Sequence, residues 1–311
     1  MELRQCRYFI AVVDAQSITE AARKLNVVQS AVSHQIAKLE RDLQTSLLHR
    51  TRNGVTPTDS GRLLYFHAQA VVKHIEAARQ SIRALDHEVR GRVALGLPSS
   101  TAAVLALPLL RSLRDTLPQV ELVIIEGLGS VLAEQLLSGR LDLSVLFDDP
   151  SLRGMDRQPL IRERLHFVST QPAACEALRG ARTISLRDAS RWPLILAPKT
   201  NSIRALVEEE AQRGGLRLNV VADLSGVGTI LEAVESGFAS SIMMAANAAR
   251  LQGRDDAVVL PIKAPVIERT ASVYQAERFP LTPAASGLRT LVVEVVRDLV
   301  TGQRWAGARL V

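Results

Sequence analysis

Cysteine is nearly absent from this chain. Its 311 residues hold two, Cys6 and Cys175, too few for a disulfide framework and without the spacing of a metal site. Such usage fits a reducing, cytoplasmic compartment. No Gly-x-Ser-x-Gly elbow occurs. Ser33 and His34 are neighbours on one expected helix, so their side chains diverge and cannot form a nucleophile–base pair. Asp142, Asp148 and Asp149 have no paired acid or histidine in context, and His166 stands alone. These absences leave no catalytic residue, no metal ligand set and no cofactor to assign. A leader is not expected either, because Glu2, Arg4, Arg7 and Asp14 interrupt the first fifteen residues. The uncharged run Val93–Leu110 is punctuated by Pro98, Ser99, Ser100, Thr101 and Pro108. It reads as a strand followed by a helix rather than as a membrane span. There is no repeat at a fixed period and no low-complexity tract.

What is present is a basic, helical N-terminal third. Residues 1–90 hold 13 Lys and Arg against 9 Asp and Glu, while the remainder holds 25 against 23. Five of the six histidines also lie before residue 91. Within this segment Ile18, Ala21, Ala22 and Leu25 fall on one face of a short helix. Ser17 is placed to cap it, with Glu20 at capping-box distance. After an Asn26-Val27-Val28 turn, Val32, Ile36, Leu39 and Leu43 recur at helical spacing. The opposite face carries Gln29, Ser30, Ser33, His34 and Lys38, short donors and acceptors suited to base edges and phosphates in a major groove. The pattern is a helix-turn-helix, with Ala21-Ala22 allowing close packing. Leu47 to Thr58 follows as a basic segment around Asn53-Gly54, a hairpin signal. With Arg50 and Arg52 it forms a wing that can touch the DNA backbone or minor groove.

Residues 3–15 read as a first amphipathic helix, with Cys6, Phe9, Ile10 and Val13 on its apolar side. A helix of about thirty residues, roughly 45 Å long, begins at Asp59 or Ser60 and ends near residue 88. Leu63, Phe66, Ala70, His74 or Ala77, and Leu85 space an apolar stripe along it, fitted to pairing with its equivalent in a second subunit. From Gly91 the period changes. Val93–Leu97, Glu121–Ile125, Asp142–Phe147, Leu194–Ala197, Asn219–Leu224 and Ser240–Met244 read as short buried strands. Helical runs near 102–116, 129–138, 203–213 and 227–236 separate them. The alternation predicts two α/β lobes with mostly parallel sheets. Extended crossovers are expected around Ile161–Arg164 and Lys263–Glu268, and a last helix over about 283–301 returns to the first lobe.

The chain resembles the LysR-type transcriptional regulators. The carrying residues are Phe9, Ser17, Ala21-Ala22, Leu25, Gln29-Ser30-Ala31-Val32-Ser33, Ile36, Leu39-Glu40, Leu43, Leu47-Leu48, Arg50, Thr56, Thr58 and Gly61. The match is specific over residues 1–65 and mainly architectural beyond. It implies a winged helix-turn-helix, a linker helix, and a two-lobed α/β effector domain of the periplasmic-binding-protein kind. It also implies a homotetramer built as a dimer of dimers, with an effector pocket between the lobes. The expected boundaries are 1–58 for the DNA-binding domain, 59–90 for the linker and 91–311 for the effector domain. Lobe I would take about 91–161 and 268–302, and lobe II about 162–267. His34 departs from the arginine of many relatives, being shorter.

Gln29, Ser30, Ser33, His34, Lys38, Arg50 and Arg52 are therefore the expected DNA contacts, on a double-stranded, pseudo-palindromic promoter site. In the α/β region, ligands of wound sheets gather at the carboxyl ends of strands, where helix N-termini favour anions. That places Ser99, Ser100, Thr101, Gly129, Ser130, Phe147, Asn201, Ser202, Val227 and Gly228 around a small carboxylate or similar anion. The leading reading is an effector-responsive regulator, with RNA polymerase a partner compatible with that role and no membrane partner. The alternatives are a cytoplasmic solute-binding protein and a ligand-independent architectural DNA binder.

Overall fold

The computed structural model describes residues 1–51, 54–84, 89–148 and 152–311. Arg52 and Asn53 of the expected wing, Leu85 and His87 of the expected linker, and Asp149 lie outside the described residues. The chain divides into two units: Met1–Glu88 with Glu277–Pro283, and Val89–Ala276 with Ala284–Val311. No described helix is long and apolar enough to cross a membrane.

The first unit runs α1 (Leu3–Ala15), α2 (Ile18–Lys24), α3 (Gln29–Asp42), β1 (Leu48–Thr51), β2 (Gly54–Pro57) and α4 (Asp59–Ala84). One core joins Phe9 and Val12 of α1 with Ala21, Ala22, Val32, Ile36 and Leu39. Cys6 and Phe9 of α1 are buried as expected, together with Gln5 and Val12; Ile10 and Val13 are half-buried, Val13 packing against the core. The Ser17 hydroxyl accepts the Glu20 N–H at 3.3 Å, which caps α2 as expected. The Glu20 carboxylate turns instead to Arg23, accepting from Nε and Nη2 at 3.1 and 2.9 Å, so the capping box is half formed. Asn26 adopts a left-handed φ of 55° in the turn, a conformation asparagine tolerates well.

The hairpin β1–β2 pairs Thr51 with Gly54. Gly54 is thus a strand residue, not the turn residue of the expected Asn-Gly pair. Its φ is +129°, and a Cβ there would sit 2.7 Å from the Gln16 carbonyl oxygen, which accepts the Val55 N–H at 2.9 Å. The Thr58 hydroxyl accepts the Gly61 N–H at 3.0 Å and donates to the Ser46 carbonyl at 2.8 Å. At Gly61 a Cβ would lie 2.0 Å from the Leu47 carbonyl oxygen. Only glycine lets α4 press this closely on the start of the wing.

The second unit continues with β3 (Gly91–Pro98), α5 (Ser99–Thr116), β4 (Val120–Gly127), α6 (Gly129–Leu137), β5 (Leu143–Phe147) and β6 (Met155–Ser169). It proceeds through α7 (Pro172–Ala177), α8 (Leu186–Ala189), β7 (Leu194–Leu196), α9 (Ser202–Arg213), β8 (Val220–Asp223), α10 (Val227–Glu235) and β9 (Ser241–Met244). A 3-10 turn (Ala245–Leu251), β10 (Val258–Pro261), β11 (Glu268–Ala276), α11 (Pro283–Thr301) and β12 (Ala308–Leu310) complete it. Each expected strand and helix coincides with one of these elements, several extending one residue beyond it, and Val93–Leu110 splits into β3 and α5. The expectation of mostly parallel sheets needs correction. Pairs β3–β4, β3–β5 and β7–β8 are parallel. The central strands are antiparallel, β11 to β5 and β6, and β6 to β9, β10 and β12. The reason is that β6 serves both lobes. Its first part, Met155–Arg164, pairs with β11 in lobe I; its last residues pair with β9 and β10 in lobe II. The chain leaves lobe I on β6 and returns to it on β11, so these two crossing strands run in opposite directions and pair antiparallel.

Candidate nucleic-acid interface and effector cleft

In α3, Val32, Ile36 and Leu39 are fully buried. That stripe fixes the helix rotation and leaves Gln29, Ser30 and His34 exposed, with Ser33 and Lys38 half-buried beside them. Leu43 does not extend the stripe: it follows the last helical residue and is exposed. Arg50 is exposed on β1, opposite Val55. Lys38 has a partner within the protein. Its ammonium pairs with Glu2 Oε1 at 3.0 Å, and that hydrogen bond holds the Glu2 carboxyl below its usual range. Two contributors escaped the sequence reading. Val28, 69% exposed, stands at the N-cap of α3 without a side-chain cap bond. An apolar residue opening a polar helix was the available signal. Glu40 accepts the Leu47 and Leu48 N–H groups at 2.8 and 3.3 Å, which ties α3 to the root of the wing.

The second unit contains a cavity of about 1220 Å³. It is walled by the carboxyl ends of β3, β4, β5 and β7, and by the N-terminal turns of α5, α6, α9 and α10. Of the ten expected ligand residues it gathers Ser99, Ser100, Gly129, Ser130, Phe147, Asn201, Ser202 and Val227. Thr101 is not in the wall. It is buried on the core face of α5 with Leu105, one turn apart on the same side of the helix. Gly228 is not in the wall either; it lies inside α10 with no side chain to present. Pro98, Leu128 and Gly226 precede α5, α6 and α10 without a side-chain cap bond. Asn201 caps α9 through Oδ1, accepting the Ile203 N–H at 2.9 Å.

The polar floor of the cavity was not foreseen. Arg269, on β11, is buried and reaches Ser100 Oγ at 3.3 Å and Ser202 Oγ at 3.4 Å. Its guanidinium carbon lies 3.1 Å from the Phe147 ring centroid, a cation–π contact. Burial pulls its pKa down to about 10 against the attraction of Glu163, so it remains charged at neutral pH. Asn247 Nδ2 donates to the Ser100 carbonyl at 2.9 Å. Asp148 accepts from Ser272 and Tyr274 at 2.6 and 2.8 Å and pairs with Arg157. Burial, with the Asp148 carboxylate, pushes the Tyr274 phenol up to about 12.

A model described as the bacterial regulatory helix-turn-helix protein, lysR family, matches residues 3–62. A second, the LysR substrate binding domain, matches residues 86–297. The chain belongs to the LysR family of regulators. It is 30% identical over 297 residues to the nitrogen assimilation regulatory protein nac of Klebsiella aerogenes, covering 95% of each chain. It is 26% identical to the transcriptional dual regulator GltC of Bacillus subtilis, covering 96% of this chain and 99% of that one. Full-length OxyR of Pseudomonas aeruginosa shares the fold, with a TM-score of 0.77, 22% identity and coverage of 96% and 95%. So does CbnR in complex with its target DNA, with a TM-score of 0.62, 22% identity and coverage of 96% and 99%. As a LysR-family transcriptional regulator, the chain joins a helix-turn-helix DNA-binding domain to an effector-binding domain.

Proposed function

We propose that this LysR-family regulator reads a pseudo-palindromic promoter site through Gln29, Ser30, Ser33 and His34. Val28 contacts a base methyl, and Arg50 and Arg52 hold the backbone. The observation that carries this reading is the buried Val32–Ile36–Leu39 stripe, which commits the opposite face of α3 to solvent. Lys38 serves as a phosphate contact only when it leaves Glu2. The exposed apolar residues of α4, Leu63, Phe66, Val71 and Ile82, support pairing of two linker helices and assembly as a dimer of dimers. The effector is a small carboxylate or similar anion, favoured by four helix N-termini around one cavity. The molecule works in the cytoplasm as a regulator rather than a catalyst. In support, burial pushes both the Cys6 and Cys175 thiols up, away from the reactive thiolate.

The test is a gel-shift titration on the promoter DNA beside the neighbouring, divergently transcribed gene. Gln29→Ala and Ser33→Arg should each weaken specific binding while the circular dichroism spectrum is unchanged; unaltered affinity would reject the assignment. Thermal-shift screening of small acids against neutral metabolites tests the effector class, and stabilisation by neutral compounds alone would overturn it.

A further inference from the structure

Glu163 and Arg269 are direct cross-strand partners on β6 and β11, where β6 passes from one lobe to the other. Their side chains are 4% and 5% exposed. Arg269 Nε donates to one carboxylate oxygen at 3.0 Å, and Nη2 forms an ion pair with the same oxygen at 3.0 Å. The other oxygen accepts the Trp305 indole N–H at 2.9 Å. Both oxygens of Glu163 are thus filled by built-in donors. The guanidinium is stacked on Phe147 and extends its remaining reach to Ser100 and Ser202, the N-terminal turns of α5 and α9. A buried guanidinium in the wall of a cavity is ordinarily its strongest anion site. Here an internal carboxylate already stands in that place.

We propose that Glu163 is the resident counter-ion of the cleft. It fills the anion-binding capacity of Arg269, so the effector is recognised by serine hydroxyls, backbone N–H groups and Lys199 at the helix ends. Arg269 becomes the latch between Ser100 and Ser202, and Trp305 is a positioning residue that holds Glu163 to it. The effector charge class follows: the cleft refuses a compact dianion that needs a free guanidinium. This inference rests on the cleft being the effector site.

Inorganic phosphate is the probe, titrated against the full-length protein at matched ionic strength and read by thermal unfolding. Phosphate should leave the unmodified protein's melting temperature at its chloride value. Glu163→Gln leaves a buried cation without its partner, and phosphate should raise its melting temperature above the chloride value. Adding Arg269→Gln to that variant should abolish the gain. Trp305→Phe keeps the charge pair but removes one donor; it should show a smaller gain in the same direction, and it decides the matter if Glu163→Gln does not fold. No gain in either variant, a gain that survives Arg269→Gln, or a phosphate response of the unmodified protein that Arg269→Gln removes would overturn the proposal. The metabolite screen on the unmodified protein tests the effector reading separately.

Discussion

The Lys38–Glu2 and Arg269–Glu163 pairs have the same closest nitrogen–oxygen separation, 3.0 Å, in opposite settings. The first is on the reading helix with side chains 42% and 51% exposed; the second is on the cleft floor at 5% and 4%. Water solvates the first pair in either state, so forming or releasing it changes little. The second has no water to return to, and either charge left alone is strongly unfavourable. Equal geometry therefore gives a releasable contact at the DNA face and a fixed one at the cleft. The difference suits the two surfaces. A DNA-binding helix gains from a lysine that can change partner, whereas a binding cleft gains from a cation that cannot.

The comparison breaks first at the buried pair. Arg269→Met, which strands Glu163, should cost about 3–5 kcal/mol in urea unfolding, and the double variant Glu163→Leu/Arg269→Met should recover most of it. A single-variant cost below about 1 kcal/mol would show that the pair behaves as a surface pair. Glu40 sharpens the middle of the scale. It is a half-buried carboxylate holding two neutral backbone donors, and Glu40→Ala should cost about 1–3 kcal/mol, visible in unfolding of the DNA-binding unit. His166 is buried, with no ion pair among the described residues. Its Nδ1 lies 2.9 Å from the Arg164 carbonyl oxygen, and burial lowers its pKa below the usual value. The unfolded chain takes up the proton first, so stability is full above the ordinary imidazole pKa, about 6.5, and declines as pH falls below it. Replacing His166 with Gln should flatten that limb of the pH–stability curve. The smallest effect is at the exposed pair: Glu2→Ala should leave the melting temperature in place while freeing Lys38. The salt dependence of operator binding should then steepen by about one phosphate contact; an unchanged slope would show that Glu2 does not hold Lys38 away from DNA.

The reading helix was legible because its information is local. A cap at Ser17, a turn at Asn26 and a three-residue stripe lie within a few helical turns, and short-range sterics suffice to place them. The strands β3, β4, β5, β7, β8 and β9 were legible for the same reason, as apolar runs bounded by turn residues. What was missed is non-local. The crossover at Ile161–Arg164 was legible as an extended segment, but Pro159 and several charges hid that it belongs to a 15-residue strand pairing on both sides of the crossing. Arg269 looks like a solvent-facing residue on its strand. Its partner is 106 residues away. Lys38 looked free because Glu2, 36 residues earlier, lies outside its helix.

The sequence alone determined that a polar face would open on one side of α3, and that helix N-termini would follow the strands of the α/β region. Periodicity and capping chemistry act over a few residues and admit few alternatives. Tertiary structure alone decided which charges remain available on those surfaces. That depends on cross-strand register and on burial, which raise the cost of an unpaired charge far above its cost in water, and neither can be read from a charged residue and its neighbours in the chain.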